Sequence, residues 1–537
     1  MITTDALGIR QIATTITSEA DQDNNTDRDG DGTADAGDGN LDVLLGDNND
    51  VNVLAMTNDF VGGMALFNDT DELTIGTVAT QTLDGCVFDT TIGIETDNGD
   101  VLIKAGGFLS ITDTINTRGA DATDDTQTAD VRIVANGDIT QTVDGTITAD
   151  ALGIRQQATT ITSAADQDVD GNGQLDVLLG DANDVNVLAI SNDFVGGVAQ
   201  FNDIDELTIG TVATQTLDGC TFTETVGIET DNGDVLIKVG GFLAITNTIN
   251  TRGADATDDS QTADVRLVAN GDITQTVAGV ITTDELGIRQ QSTTITSAAD
   301  QDVDGNGQLD ILLGDANDVN TLAMTNDFVG GVALFNDLDE LTIGTVATQT
   351  LDGCVFDTTV GIETDNGDVL IKAGGFLAIT DNINTRGADT TDDDLTADVR
   401  LVSNGDITQT IAGVITTDEL GIRQQATVIT SDADQDNRDR ADNAVADGNL
   451  DILLGDANDV NVLAMTNDFV GGVALFNDTD ELTIGTVATQ TLDGCVFDTT
   501  IGIETDNGDV LIKAGGFLSI TDTINTCLLY TSPSPRD

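Results

Sequence analysis

Apolar and polar residues alternate with a period of two through most of the 537-residue chain, in short runs closed by Asn-Gly, Asp-Gly or Gly-Gly. The stretches DNGDVLIKAGGFLSITDTINT (97–117) and ADVRIVANGDITQTVDGTITADALGIR (129–155) show the pattern, with β-branched residues at many of the alternating positions. A period of two rich in Val, Ile and Thr predicts strands. No stretch carries the 3.6-residue spacing of an amphipathic helix, and no apolar run reaches the ~18 to 20 residues of a membrane span. Strands this short, with turn residues this dense and only 2 Pro, predict a chain that coils and stacks on itself.

The pattern repeats at long range. ITTDALGIRQ at Ile2 returns as ITADALGIRQ at Ile147 and as ITTDELGIRQ at Ile281 and Ile415, in steps of 145, 134 and 134 residues. Four copies follow: 1–146, 147–280, 281–414 and a truncated 415–526. The first copy is longer because seventeen residues separate Asp23 from Leu41, where six separate Asp168 from Leu175 and Asp302 from Leu309; copy four has thirteen between Asp436 and Leu450. Length variation confined to one point predicts a loop projecting from a framework, here the long acidic loop 21–42 of copy one. Met1 stands where copies three and four have Val280 and Val414, so the chain is expected to begin inside the repeat pattern. At the other end TINTRGAD becomes TINTCLLYTSPSPRD, and residues 527–537 resemble the in-frame translation of a sequencing-library adapter rather than a further piece of the repeat.

Composition narrows the function classes. There are 95 acidic against 18 basic residues, a formal charge of −77, no His, no Trp and one Tyr. Such a charge repels nucleic-acid phosphates and anionic lipid and favours divalent cations. Apolar residues at 39% are enough for a core, so the chain folds in spite of its charge.

The segments NGDITQTVDGTITADALGIR and NGDVLIKAGGFLSITDTINT resemble the repeats of filamentous-haemagglutinin-type adhesins, large secreted bacterial proteins. The resemblance covers about a third of each copy. It implies an all-β fold, a right-handed parallel β-helix (β-solenoid) built from the four copies, and a place outside the cell or on the bacterial surface. The rest of each copy, such as LLGDANDVNVLAMTNDFVGGVALFNDTDELTIGTVATQTLDGCVF, fits the same rhythm of laps. Five or six laps per copy at ~4.8 Å each give a rod on the order of 100 Å. A string of four calcium-dressed β-sandwich domains is the alternative fold, disfavoured by the lack of Trp, Tyr and linkers between copies.

Within such a coil the sixteen Phe, which fall at four matching positions per copy (Phe60, Phe67, Phe88 and Phe108 in the first), are expected in the core. Cys86, Cys220, Cys354 and Cys495 occupy one equivalent place. At roughly 25 Å between copies by the lap spacing they are too distant to pair, and buried free thiols are expected.

The acidic loops carry the one candidate chemistry. A calcium loop needs oxygen ligands at alternate positions, a glycine at the sixth and further acids near the ninth and twelfth. DRDGDGTADAGD in copy one supplies Asp27, Asp29, Asp31, Gly32, Asp35 and Asp38, and resembles the loops of dockerin and thrombospondin type 3 repeats. Copies two and three keep Asp168, Asp170, Asn172, Asp176 and Asp302, Asp304, Asn306, Asp310, with Leu179 and Leu313 at the twelfth position; copy four loses the spacing. Turn residues on a solvated face are the plainer account of the same letters. LLGDANDVN (178–186) is similar to the nonapeptide of calcium-binding β-rolls, but occurs once per copy where that fold needs a tandem array.

An elongated scaffold for attachment, calcium-stiffened and meeting cell-surface or matrix ligands such as glycans, is therefore the expected function, with no enzyme activity, membrane insertion or oligomer. The alternative is a carbohydrate-active β-helix enzyme, a polysaccharide lyase or hydrolase using Glu72 or Glu95 in a carboxylate pair. Each of these acids is copied, as Glu206, Glu340 and Glu481 and as Glu229, Glu363 and Glu504, which suits a repeated surface better than one active centre.

Overall fold

The computed structural model describes the chain apart from residues 18–39, 120–127, 170, 254–261, 304, 352, 388–395, 432–434, 437–447 and 527–537. It is all-β, 58% strand and 2% helix. The chain forms two compact units, Met1–Arg266 with Gln349–Phe356, and Leu267–Thr348 with Asp357–Asp537.

Coiling begins in the first long strand of the first unit. Val43–Val61 changes partner along its length: residues 43–45 pair with Ala65–Asp69, residues 53–54 with Leu73–Ile75, and residues 56–58 with Ile94–Asp97. Its register slips between Leu45 and Asn49 and again between Asn58 and Val61, where the chain turns corners. Three short segments therefore make a lap, and each pairs in parallel with its counterpart one lap on. On the first face Ala65–Asp69, Val101–Ala105, Val131–Ala135 and residues 152–156 follow one another; on the second, Leu73–Ile75, Leu109–Ile111 and Ile139–Gln141. Parallel ladders of this kind are not the antiparallel sheets of a β-sandwich.

Register puts like on like inside the coil. Leu73, Leu109 and Ile139 stack in line, as do Phe67, Ile103 and Ile133, and all six are fully buried. Corners interrupt the ladder and leave backbone groups that must find other partners. Asn183 serves one of them: its Nδ2 donates to the carbonyl of Asp181 at 2.9 Å, and its Oδ1 accepts from the Ile147 N–H at 2.9 Å and Gln141 Nε2 at 2.6 Å. Asn317 and Asn458 make the same contacts in the second unit.

A copy is not a whole number of laps. Residues 43–45 and 177–179 are equivalent in sequence, yet 177–178 stack on Ile139–Gln141, the second face, while residues 188–192 continue the first. The 134 residues from Val43 to Val177 wind four laps and one further face. The second unit makes the same step, residues 452–453 stacking on Ile407–Gln409. This is fewer than the five or six laps that the alternation predicts, because residues 77–92 leave the coil.

Those residues form an antiparallel hairpin, Thr77–Val78 against Thr91–Ile92 and Gln81–Leu83 against Cys86–Phe88. Its tip, Asp84-Gly85, holds φ of 48° and 84°, the double positive pair of a tight hairpin turn. The equivalent hairpin of copy two, residues 211–226, folds back along the coil and lies on the outer surface of the first face. There Leu217, Cys220 and Phe222 cover Leu66, Leu102 and Val134, outward-facing residues of three successive laps. Cys220 Sγ donates to the Gly46 carbonyl at 3.3 Å. Gln215 Nε2 donates to Asp100 at 2.6 Å and its Oε1 accepts from Arg132, which also meets Asp130 at 2.6 Å. The Phe222 ring lies over Gly153, where a β-carbon would stand 2.5 Å from Cζ. Residues 486–501 cover Leu334, Leu370 and Val402 in the same way in the second unit, with Cys495 Sγ on the Gly314 carbonyl and the Phe497 ring over Gly421. The hairpin tip Gln349–Phe356 belongs with the first unit, where Cys354 Sγ reaches the Gly180 carbonyl.

The aromatic expectation is corrected accordingly. Phe67, Phe201, Phe335 and Phe476 fill the coil, whereas Phe222 and Phe497 are buried on the undersides of hairpins outside it. Phe60, Phe108 and their counterparts Phe194 and Phe242 are half-buried. Among the described residues the four equivalent cysteines are free, Cys220, Cys354 and Cys495 buried and Cys86 exposed.

Phe222→Ala removes the largest apolar contact of its hairpin, and the loosened latch is expected to raise the rate of Cys220 alkylation by about tenfold or more. In dilute protein Cys86 should react fast in either form, and peptide mapping after timed labelling reads Cys86, Cys220, Cys354 and Cys495 separately. An unchanged Cys220 rate in the variant would show that the ring does not hold the hairpin down.

Candidate functional site

Of the thirteen candidate cation ligands, Asp27, Asp29, Asp31, Asp35, Asp38, Asp170 and Asp304 lie outside the described residues. The others sit where a side arm rejoins the coil. A single helical turn, Ala164–Gln167, leads in. Gln167 ties it down: Oε1 accepts from the Thr162 and Ser163 N–H groups at 2.7 and 3.0 Å, and Nε2 donates to the Asn136 carbonyl at 2.6 Å. Next comes Asp168, buried, whose two oxygens accept from the Gly171 and Gly173 N–H groups at 2.7 and 3.0 Å. Both glycines have positive φ, 73° and 86°, which lets the loop curl around one carboxylate.

Asn172 and Asp176 close the loop. Asn172 Oδ1 accepts from the Gln174 N–H at 2.6 Å, and its Nδ2 donates to Asp176 Oδ2 at 2.8 Å. Asp176 Oδ1 accepts from the Val198 N–H one lap on, while the Asp176 N–H donates to Asp138. Asp302, Asn306 and Asp310 repeat these contacts in the second unit. The loops thus bring Asp168, Asn172 and Asp176 together around backbone N–H groups. Among the described residues no three acidic or sulfur-bearing side chains converge as a ligand set. A cation entering here would share the Asp168 and Asp176 oxygens with their amide donors and turn the Asn172 amide.

Copy four keeps the hub despite its different spacing. Asp436 is buried, and its Oδ2 accepts from the Gly448 N–H at 2.8 Å across the intervening residues. Spacing alone concealed it, because the bond spans twelve residues there and five in copy two.

Glu72 and Glu95 lie on different faces of the coil. Glu72 precedes the second-face strand Leu73–Ile75, whereas Glu95 lies in the third-face strand Ile94–Asp97. Glu95 instead lines a cleft of about 130 Å³ with Asn58, Asp59, Thr96, Asp97 and Gly119. At the equivalent place in the second unit, burial pushes the Glu363 carboxyl up, with Asp327 and Asp365 adding to the shift. Burial raises Asp327 too, against the Arg289 guanidinium.

Carboxylates elsewhere on the corners and under the hairpins are raised further. Burial, with the neighbouring Asp71, holds Asp69 at about 7, and its carboxylate accepts from the Val51 and Asp71 N–H groups. Asp478 is likewise raised by burial to about 7. Asp130 and Asp398, beside Arg132 and Arg400 at the hairpin contacts, are pushed up by burial to about 6 and about 7.

No family model matches the chain, and no curated protein or solved structure is significantly similar to it.

A carboxyl whose folded pKa lies above its unfolded value binds protons more tightly when folded, so its contribution is fullest below the unfolded pKa and is lost as pH rises through the folded one. For Asp69, Asp130, Asp398 and Asp478 that window runs from the ordinary carboxylate value of 3.8 up to about 7. The thermal midpoint is therefore expected to climb as pH falls from about 8 to about 5. Scanning calorimetry in constant ionic strength reads it, and a midpoint that falls over this range would contradict these shifts.

Proposed function

We propose that the chain is a segment of a large secreted or cell-surface bacterial adhesin or structural protein, in which the four sequence copies wind a right-handed parallel β-helix that serves as an elongated attachment scaffold. The observation that supports it best is the repeated lap-on-lap parallel register, with hairpins folded back across several laps. Such a coil spends its sequence on length and stiffness. The candidate acids recur at equivalent positions, which suits many weak contacts adding through effective concentration. Cell-surface or matrix ligands, glycans among them, are the partners this reading implies. Calcium at the acidic loops is part of it: a divalent ion offsets repulsion among carboxylates and stiffens the loop that holds it.

A second reading, a carbohydrate-active β-helix enzyme, draws on the acidic cleft at Glu95 and the raised carboxyl of Glu363. Release of reducing or unsaturated ends from acidic polysaccharides, abolished by Glu95→Gln together with its counterparts, would favour it over the scaffold.

Two measurements test the leading reading. X-ray scattering should give the linear cross-section plot of a rod, and a profile of four beads on hinges would overturn the scaffold. Calorimetric titration with calcium should show binding that an Asp27→Ala, Asp31→Ala variant loses in copy one. Equal heats from both proteins would leave that loop as a turn and remove calcium from the proposal.

A further inference from the structure

A buried glutamine stands where the other copies have leucine. In the strands Ala65–Asp69, Ala199–Asp203, Ala333–Asp337 and Ala474–Asp478 the second residue is Leu66, Gln200, Leu334 and Leu475. Successive residues of a strand point to opposite sides, so with Phe201 inside the coil Gln200 points outward. It is nonetheless fully buried. In register it sits between Leu178 and Leu236 on the neighbouring laps. Among the described residues neither its amide oxygen nor its amide nitrogen has a hydrogen-bond partner. A buried side-chain amide is ordinarily satisfied at both ends.

The cover over Gln200 is the hairpin tip of copy three. Leu66 lies beneath the hairpin that carries Cys220, and Leu334 beneath the one that carries Cys495. Leu334 and Cys495 meet at one glycine, since a β-carbon on Gly314 would stand 3.1 Å from Leu334 Cδ2 and 3.3 Å from Cys495 Sγ. Gly180 matches Gly314, and Cys354 Sγ donates to its carbonyl at 3.1 Å, which brings the tip Gln349–Phe356 over Gln200. The polar fittings of this tip are those of its counterpart. Gln349 Oε1 accepts from Arg266 at 2.8 Å and its Nε2 donates to Asp234, as Gln215 does with Arg132 and Asp100. Cys354 and Phe356 are as buried as Cys220 and Phe222. The residue underneath is different.

We infer that the tip Gln349–Phe356 is a releasable strap, held to the coil more weakly than the tips that carry Cys220 and Cys495, and that its opening uncovers Gln200 and the Cys354 thiol. With the strap down, the Gln200 amide forgoes the bonds that water would give it; with the strap up, its oxygen accepts and its nitrogen donates again. Over Leu66 or Leu334 the balance runs the other way, because lifting the hairpin returns apolar surface to water. One side chain thus turns a tight cover into one that opens locally, without unwinding the laps beneath it.

Timed alkylation of the reduced 537-residue chain with iodoacetamide tests it. Peptide mapping reads Cys220, Cys354 and Cys495 separately, each rate being divided by that of the same thiol in urea-unfolded protein. Cys354 should react about tenfold or more faster than the other two. Gln200→Leu should bring Cys354 down to their rate and leave Cys220 and Cys495 unchanged. The reverse exchange, Leu66→Gln, should raise the Cys220 rate by a similar factor, with circular dichroism checking that the variant keeps its strands. A Cys354 rate no faster than those of Cys220 and Cys495 overturns the inference. So does a fast rate that persists in Gln200→Leu, which would place the cause in the hairpin itself.

Discussion

Parallel pairing between one lap and the next is the constraint from which the other features follow. A strand segment that hydrogen-bonds to a neighbour above and below must keep its register, and register puts Leu73, Leu109 and Ile139 in one column. It also forces the chain round three corners in every lap, and at a corner the ladder gives way. Backbone groups freed there are costly to bury unpaired. Asn183, Asn317 and Asn458 meet that need from inside the coil, each fully buried and each bonded to backbone on both sides of its corner. Their amides are as much a part of the fold as the leucines.

The fractional lap explains why the outer surface is built as it is. Because a copy ends one face further round than it began, equivalent segments of neighbouring copies do not stack in a single column. The hairpin of copy two leaves the coil and reaches back to the face that Leu66, Leu102 and Val134 share. Those residues point away from the interior, and without the hairpin they would form an exposed apolar stripe. Gly153 completes the fit by leaving room for Phe222. The outward Leu of one sequence copy with the hairpin Phe and the glycine of the next are thus a single packing unit.

The strands and their period were legible from alternation, because a half-buried strand writes its inner face at every second residue. The hairpins were not. TVATQTLDGCVFDTTI alternates like its surroundings, and its Asp-Gly reads equally as a coil corner or as a hairpin tip. Only the pairing partner separates the two, Val78 with Thr91 rather than with a residue one lap away. The same ambiguity misplaced the phenylalanines: Phe67 and Phe222 occupy similar apolar runs, yet one fills the coil and the other lies outside it. At the acidic loops the letters located the turn correctly, but a spacing rule for metal ligands passed over Asp436, which holds its loop from a different distance.

The acidity of the chain belongs to this same architecture. Aspartate has the shortest side chain that offers a carboxylate to a nearby amide, and the corners use it that way: Asp69 takes the Val51 and Asp71 N–H groups, Asp138 those of Val169 and Asp176, Asp168 those of Gly171 and Gly173. Each bond strengthens a corner and adds a negative charge to it, one contribution to the excess of 95 acids over 18 bases. Burial then pushes the Asp69 and Asp478 carboxyls up towards neutrality, so that a proton relieves the repulsion at those corners. At the loops the same economy operates in one turn: a single buried carboxylate, Asp168 or Asp302, gathers two glycine amides and so fixes the path of the chain back into the coil.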